Sequence, residues 1–312
     1  MKKVLIVGGA GFIGSFLCKE LLKNDCFVVA YDNLMRGKRS NLDDSIKNNL
    51  FRFVKGDAND TNHLVKIIKL YEIDHIFHLA ANSDIKASSV NPAIEFESTA
   101  STTWSILMAM KKTGVNNLFF ASTSAVYGES ISDNPFLEND VLNPVSYYGA
   151  AKMASEAFIK SFSFMNDFNS LIFRFPNVIG PNLTHGVFFD FINALKKDPS
   201  KLRVLGDGNQ CKPYLHVSDL TKGILQLCWQ NVGVNIYNIG PDSSTSVRDI
   251  ANMVIKEMGI KQCEIIYGEG KSGWKGDVPK FSYSLNKIFK TGWRPSLSSN
   301  EAALKTIKEA LK

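Results

Sequence analysis

"VGGAGFIG", residues 7–14, follows the apolar run "KVLIV" and opens the amphipathic stretch "FIGSFLCKELLK". Gly8, Gly11 and Gly14 stand at G-x-x-G-x-x-G spacing, while Gly9, Gly11 and Gly14 satisfy G-x-G-x-x-G. A strand, a glycine turn and a helix in this order suit a pyrophosphate. The turn is tight, the backbone can approach the phosphates, and the helix packs closely on the strand. The helix start, with Phe12 and Ile13 in its first turn, adds unpaired N–H groups and a partial positive charge. The next apolar run, "FVVAYD", ends on Asp32, 18 residues past Gly14. A carboxylate there accepts from a ribose 2′-hydroxyl and repels a 2′-phosphate, so the expected cofactor is NAD rather than NADP. Asn33 joins it as a candidate contact. Arg36, Lys38 and Arg39 form a short basic loop that could reach a 2′-phosphate or simply be solvated. Asp57 and Ala58 follow the third run, "LFRFVKGD". Asp57 could meet the adenine amino group or cap the helix that follows.

Working outward, strand and helix patterns alternate. Strands are expected at "KVLIV", "FVVAYD", "LFRFVKGD", "DHIFHLAA", "NLFFAST" and "NSLIFRFP". Helices are expected near 61–70, over 92–113 from Asn91-Pro92, and from "YYGAAK" onward. Apolar strands separated by helices predict a parallel sheet covered on both faces, the doubly wound α/β (Rossmann) fold. From about residue 176 Pro and Gly loosen the pattern. Regular elements return at "YLHVSDLTKGILQLCW" and "NIYNIG", with short helices near 246–258 and 299–311. The expected division is a dinucleotide domain over 1–175, with 214–240 packing back onto it, and a smaller α/β lobe over 176–312.

The 312 residues carry 36 Lys+Arg against 30 Asp+Glu, a net charge of +6. That charge is spread along the chain without the basic, aromatic-interleaved stripe that nucleic-acid binding needs. The five cysteines show no C-x-x-C spacing and no metal-ligand cluster, which favours reduced thiols and no metal. No uncharged stretch approaches the length of a membrane span, and the apolar start is too short for a signal peptide. The expectation is a cytoplasmic chain without a membrane or nucleic-acid partner.

Three of the nine tyrosines have a lysine four residues on: Tyr148, Tyr267 and Tyr283. In a helix that spacing puts both side chains on one face. A neighbouring ammonium stabilises a phenolate and makes tyrosine a usable base. Tyr148 and Lys152 alone fall in the helix after the fifth strand, where a dinucleotide's reactive end belongs. Gly149, Ala150 and Ala151 would admit cofactor and substrate closely, whereas Tyr147 is expected to pack. Ser122, Thr123 and Ser124 crowd the end of the fifth strand, where ligands sit in such sheets, or form a self-satisfied polar turn.

The ordered set "GGAGFIG", "YDN", "HLAA", "STSAVYG", "YYGAAK", "RFPNVIGP", "YLHVSDL", "YNIG" and "GWRP" resembles the extended short-chain dehydrogenase/reductase family, in its nucleotide-sugar epimerase/dehydratase branch. The resemblance runs nearly end to end. It implies bound NAD(H), a catalytic Thr123–Tyr148–Lys152 centre and transient oxidation of a sugar carbon, usually C4. It also implies a homodimer through a four-helix bundle, here helices 92–113 and 148–166. Leu79, Ala80 and Ala81 would line the cofactor. Ser83, Ser124, Asn177, Lys212, Trp274 and Asp277 fall at substrate positions. Lys212 and Trp274 stand where the family has arginines, and Thr99 where it has asparagine, so the nucleotide and the sugar stay open. His78 and His216 read as structural. Ser124 and Ala125 follow Thr123 where 4,6-dehydratases carry an acid, which points to a 4-epimerase, or to a 4-dehydrogenase releasing its keto product. A non-catalytic NAD-binding regulator would more readily have lost Tyr148 or Lys152.

Overall fold

The structure is a computed structural model that describes residues 1–82, 88, 90–129, 134–270 and 281–312. Seven strands form one sheet in the order β11-β6-β5-β4-β1-β2-β3. They are β1 (Lys3–Val7), β2 (Phe27–Asp32), β3 (Phe51–Lys55), β4 (His75–His78), β5 (Asn117–Thr123), β6 (Asn169–Phe175) and β11 (Val234–Asn238). The β1–β2, β1–β4, β2–β3 and β4–β5 pairs are parallel. β1 is central, which is why "KVLIV" is apolar without alternation: Leu5 lies opposite both Val29 and Ile76. The order reverses between β1 and β4, the switch point at which such sheets bind ligands. This sheet belongs to a compact unit of Met1–Val126, Leu142–Arg174 and Thr221–Tyr237.

Local sequence accounts for the helices of this unit. Helix Phe12–Lys23 buries Gly14, Leu17, Cys18 and Leu21. Asp60 caps helix Thr61–Tyr71 by accepting from His63 N at 2.9 Å. Asp57 is therefore not that cap. Ser146 starts helix Tyr147–Asn166 by accepting from Gly149 N at 3.1 Å. The helix expected over 92–113 runs from Ala93 to Thr113 but widens to a π-turn over Phe96–Ala100 before continuing as Ser101–Thr113. Hydroxyls satisfy the carbonyls there. Thr102 and Thr103 donate to the Thr99 carbonyl at 3.0 and 2.8 Å, and Thr102 also to Ser98 O at 3.0 Å.

The second unit comprises Tyr127–Val141, Phe175–Leu220 and Asn238–Lys312. Its core gathers Phe188, Phe191, Leu202, Ile250, Val254 and Ile307. Helix Val187–Lys197 and the parallel pair of β8 (Lys201–Val204) with β13 (Glu264–Tyr267) were not anticipated from the sequence. The helical spacing of Phe188, Phe191, Ile192 and Leu195 is present, but flanking Gly and Pro obscured it. In "YLHVSDL" the Asp219 carboxylate accepts from Ser296 N and Oγ at 2.9 and 2.6 Å. The Asp219 carbonyl receives Trp293 Nε1 of "GWRP" at 3.3 Å. Cys18, Cys26 and Cys228 are buried thiols. Among the described residues no helix is long and apolar enough to cross a membrane, and no cluster could hold a metal ion.

Candidate active site

The glycine turn is tight and closely packed. Gly8 sits at φ +88, and a Cβ there would lie 2.7 Å from Ala80 N. At Gly14 a Cβ would lie 2.2 Å from Gly8 O. Both positions are closed by the chain's own backbone, and Leu79 and Ala80 of "HLAA" form one wall. Gly11 differs, since a Cβ there would meet Gly8 O alone, at 3.2 Å, with open space otherwise. No side chain caps the helix that begins at Phe12. An uncapped helix start above an open glycine turn is a cradle for an anion. Asp32 ends β2 beside it, accepting from Ala10 N at 3.0 Å and Leu34 N at 2.8 Å. Burial raises the Asp32 carboxyl, and the Leu34, Ala10 and Gly11 N–H groups oppose that rise. These residues fit NAD: a phosphate cradle, and a carboxylate with acceptor capacity left for a ribose.

The surrounding candidates divide. Asn33 is half-buried, and its Oδ1 takes Met35 N at 3.0 Å. Asp57 is exposed in an Asx turn to Asn59 N at 2.8 Å, next to buried Ala58. Ala80 and Ala81 are half-buried. Arg36 is not merely solvated, because its Nη2 donates to Asn82 Oδ1 at 3.0 Å. Arg39 covers the ring of Phe53 at 5.5 Å.

Thr123, Tyr148 and Lys152 come together at the C-terminal end of β5. The Thr123 side chain lies close enough to the Tyr148 phenol to favour its ionised form. Thr123 Oγ1 also accepts from Ala125 N at 3.2 Å. Lys152, 2% exposed, donates from Nζ to Ala121 O at 2.6 Å and lies 5.9 Å from the centroid of the Tyr148 ring. Gly149 makes this arrangement possible, since a Cβ there would lie 2.5 Å from Ala125 O and 2.9 Å from Pro144 Cβ. Its smallness serves the chain's own packing rather than ligand approach. Ala150 is exposed, Ala151 is buried, and Tyr147 is 54% exposed rather than packed.

The electrostatics differ from the simple expectation of an acidified phenol. Burial raises Tyr148, the Glu95 charge raises it further, and the Thr123 side chain opposes. Burial also lowers Lys152 to about 7, against the pull of Glu95 and Glu156. Burial penalises the charged form of both groups, the phenolate and the ammonium alike, which is why the two shifts coexist.

Three polar residues missed from the sequence, Glu156, Arg174 and Glu95, complete the centre. Glu156, four residues after Lys152, is fully buried. It accepts from Ser122 Oγ at 2.5 Å, Arg174 Nε at 2.9 Å and Arg174 Nη2 at 2.6 Å. Ser122 thus serves Glu156, leaving Thr123 to face Tyr148. Glu95, 2% exposed, is the third. His78 donates or accepts at Nε2 with Thr103 Oγ1 at 2.9 Å, and burial holds it well below the usual histidine range.

Of the substrate candidates, Ser124 is half-buried in the turn Ser124–Val126. Asn177 begins β7 (Asn177–Ile179) and is exposed, and Lys212 lies on β9 (Cys211–Lys212) opposite Thr245; both belong to the second unit. Ser83, Trp274 and Asp277 lie outside the described residues.

Residues 4–240 match the model of the NAD dependent epimerase/dehydratase family. A putative UDP-glucose 4-epimerase of Methanocaldococcus jannaschii is 31% identical over 310 residues, covering 97% of each chain. A mouse dTDP-D-glucose 4,6-dehydratase is 28% identical over 98% of this chain and 88% of its own. The crystal structure of the Thermus thermophilus UDP-glucose 4-epimerase in complex with NAD superposes with a TM-score of 0.86 at 29% identity, covering 98% of each chain. The glycine cradle and the Thr123–Tyr148–Lys152 cluster lie inside the matched span, and on that match the chain belongs to the NAD-dependent epimerase/dehydratase family.

Proposed function

We propose that the protein is an NAD-dependent nucleotide-sugar 4-epimerase with Tyr148 as its acid–base group. The observation that carries this reading is the pairing of Tyr148 with a buried Lys152, 5.9 Å from its ring, in the helix that follows Thr123 at the end of β5. NAD, when bound, supplies a reversible hydride acceptor. The chain's residues handle the proton. Tyr148 takes it from the C4 hydroxyl as the C4–H bond breaks, Thr123 orients that oxygen, and Lys152 stabilises the phenolate. The same phenol returns the proton when the 4-keto sugar, turned to present its other face, is reduced. Neither Ser124 nor Ala125 can act as the acid–base group that water elimination needs, so dehydration is disfavoured.

We assign NAD to 1–175 with 214–240, and the nucleotide-sugar contacts to 176–312, where Asn177 and Lys212 are candidates alongside Ser124 of the first region. Ser83, Trp274 and Asp277 are candidates by sequence. Uridine diphosphate sugars are the first substrates to test, given the relatives' names. We further propose a homodimer in the cytoplasm, assembled through helices 93–113 and 147–166. These helices expose Phe96, Phe164 and Met165, and Trp104 stands half-exposed against the edges of Phe158 and Phe162.

The test is product analysis with a panel of nucleotide sugars. C4-inverted product is expected, and a released 4-keto sugar would instead identify a 4-dehydrogenase. Tyr148→Phe should lower turnover by about 10²–10⁴, the usual worth of a positioned acid–base group. Unimpaired turnover in Tyr148→Phe would overturn the mechanism.

A further inference from the structure

Lys152 needs a partner that the motif does not supply. It is buried, and its Nζ bonds a carbonyl, Ala121 O, which carries no charge to balance it. The Tyr148 ring lies 5.9 Å from it, and the other ionisable groups close enough to share its electrostatics are Glu156, His78 and Glu95. Glu156 is already bridged by both nitrogens of Arg174. Tyr148 is neutral, with its phenol raised by burial. His78 is buried and neutral. Among the described residues, that leaves Glu95.

The fold holds Glu95 where this role requires it. Its helical turn and the π-turn Phe96–Ala100 pack against helix Tyr147–Asn166. The packing is tied by Thr103 Oγ1 to Ser155 Oγ at 3.0 Å, and by Ser155 Oγ to Ala151 O at 2.9 Å, next to Lys152. Asn82 Nδ2 donates to Glu95 Oε1 at 2.8 Å, and Thr99 Oγ1 to Oε2 at 3.3 Å. Ser88 adds a third donor. Asn82 is oriented from behind by Arg36, which donates to its Oδ1, so its NH₂ must face Glu95. Burial raises the Glu95 carboxyl, and these three donors together with the Lys152 charge oppose that rise and favour the ionised form. Glu95 is felt by both Lys152 and Tyr148.

We propose that Glu95 is the counter-charge that keeps Lys152 protonated, a positioning residue for the Tyr148–Lys152 pair set in place by Asn82 and Thr99. Its charge acts on both partners with one sign, holding the proton more tightly on each. Neutralising it therefore lets both groups lose their protons at lower pH.

The measurement titrates Lys152 directly and needs no substrate. Full-length protein labelled with 13C at lysine Cε is followed by NMR against pH, with and without NAD. The Lys152 signal is identified by its loss in Lys152→Met. Glu95→Gln should move the Lys152 midpoint down by about one pH unit, the lower end of what one neighbouring opposite charge does. Glu95→Asp should restore most of it. Once a substrate is in hand, both limbs of the kcat/KM profile should move to lower pH in Glu95→Gln. A purely structural glutamate would lower the melting temperature and leave the midpoint in place. An unmoved midpoint in Glu95→Gln overturns the proposal, whatever sugar the enzyme uses. Should that variant not fold, Thr99→Val removes one donor at nearly constant volume. A smaller downward shift then supports the proposal, and an unmoved midpoint refutes it.

Discussion

Replacing Glu156 by glutamine keeps the shape of the side chain and removes its charge. Both Glu156 and Arg174 are at most 1% exposed, so the guanidinium would be left with no compensating carboxylate in a dry site. Glutamine presents one acceptor oxygen where the carboxylate now takes three hydrogen bonds, from Ser122 Oγ, Arg174 Nε and Arg174 Nη2. At least one buried donor must lose its partner. Removing one member of a buried pair costs about 3–5 kcal/mol, against a total stability of about 5–15 kcal/mol for a typical chain. Ser122→Ala leaves the ion pair intact and removes one bond to a charged acceptor, which costs about 1.5–3 kcal/mol. The assay is urea denaturation of the ligand-free chain, comparing midpoints at a common slope. The double variant Glu156→Met with Arg174→Met should recover much of the loss, because two apolar side chains need no counter-charge. A Glu156→Gln variant within about 1 kcal/mol of wild type would refute the reasoning. So would a double variant less stable than the single one, which would make packing rather than charge the source of the cost.

Asp32→Ala should weaken NAD binding by about 10- to 100-fold, the worth of one or two hydrogen bonds to a charged group, and should narrow the preference over NADP. Isothermal titration with each dinucleotide reads both effects, and unchanged affinity for NAD would remove Asp32 from the site. Light scattering should give the mass of two chains, and charged replacements at Phe96 and Phe164 should halve it. A monomer in the wild type would sink the helical interface.

The fold was legible because its signals are local and repeated. Apolar runs without alternation mark strands buried on both faces, and "VGGAGFIG" can be read as strand, turn and helix by the absence of side chains alone. The Tyr148–Lys152 pair was legible for the same reason: four residues in a helix is a fixed geometry. What could not be read were the partnerships between distant segments. Glu156 with Arg174, and Glu95 with Asn82, depend on which faces the sheet and helices turn toward each other. A lone glutamate in an amphipathic helix is normally on the solvated side. The π-turn at Phe96–Ala100 was hidden as well, because it departs from the 3.6-residue period by one residue, within the noise of any periodicity. Gly149 invites a reading of ligand approach because a missing side chain does not say which neighbour needs the space. Here the neighbours are Ala125 and Pro144.

The two shifts in the reactive pair point to one constraint on catalysis. Burial pushes the Tyr148 phenol up and the Lys152 ammonium down, so each resists carrying a charge alone. An ion pair in such a site is better than either ion by itself, because attraction at low dielectric offsets part of the desolvation. Lys152 and Arg174 are already balanced by Glu95 and Glu156. A phenolate would therefore be one negative charge in excess, and Glu95 opposes it directly. Tyr148 should hold its proton in the resting chain. It can act as a base only after positive charge arriving beside it has let it release that proton to solvent, so that the phenolate can then take the proton of the C4 hydroxyl. Such a centre stays inert until both ligands are seated, and Glu95 enforces that reserve while keeping Lys152 charged for the moment it is used.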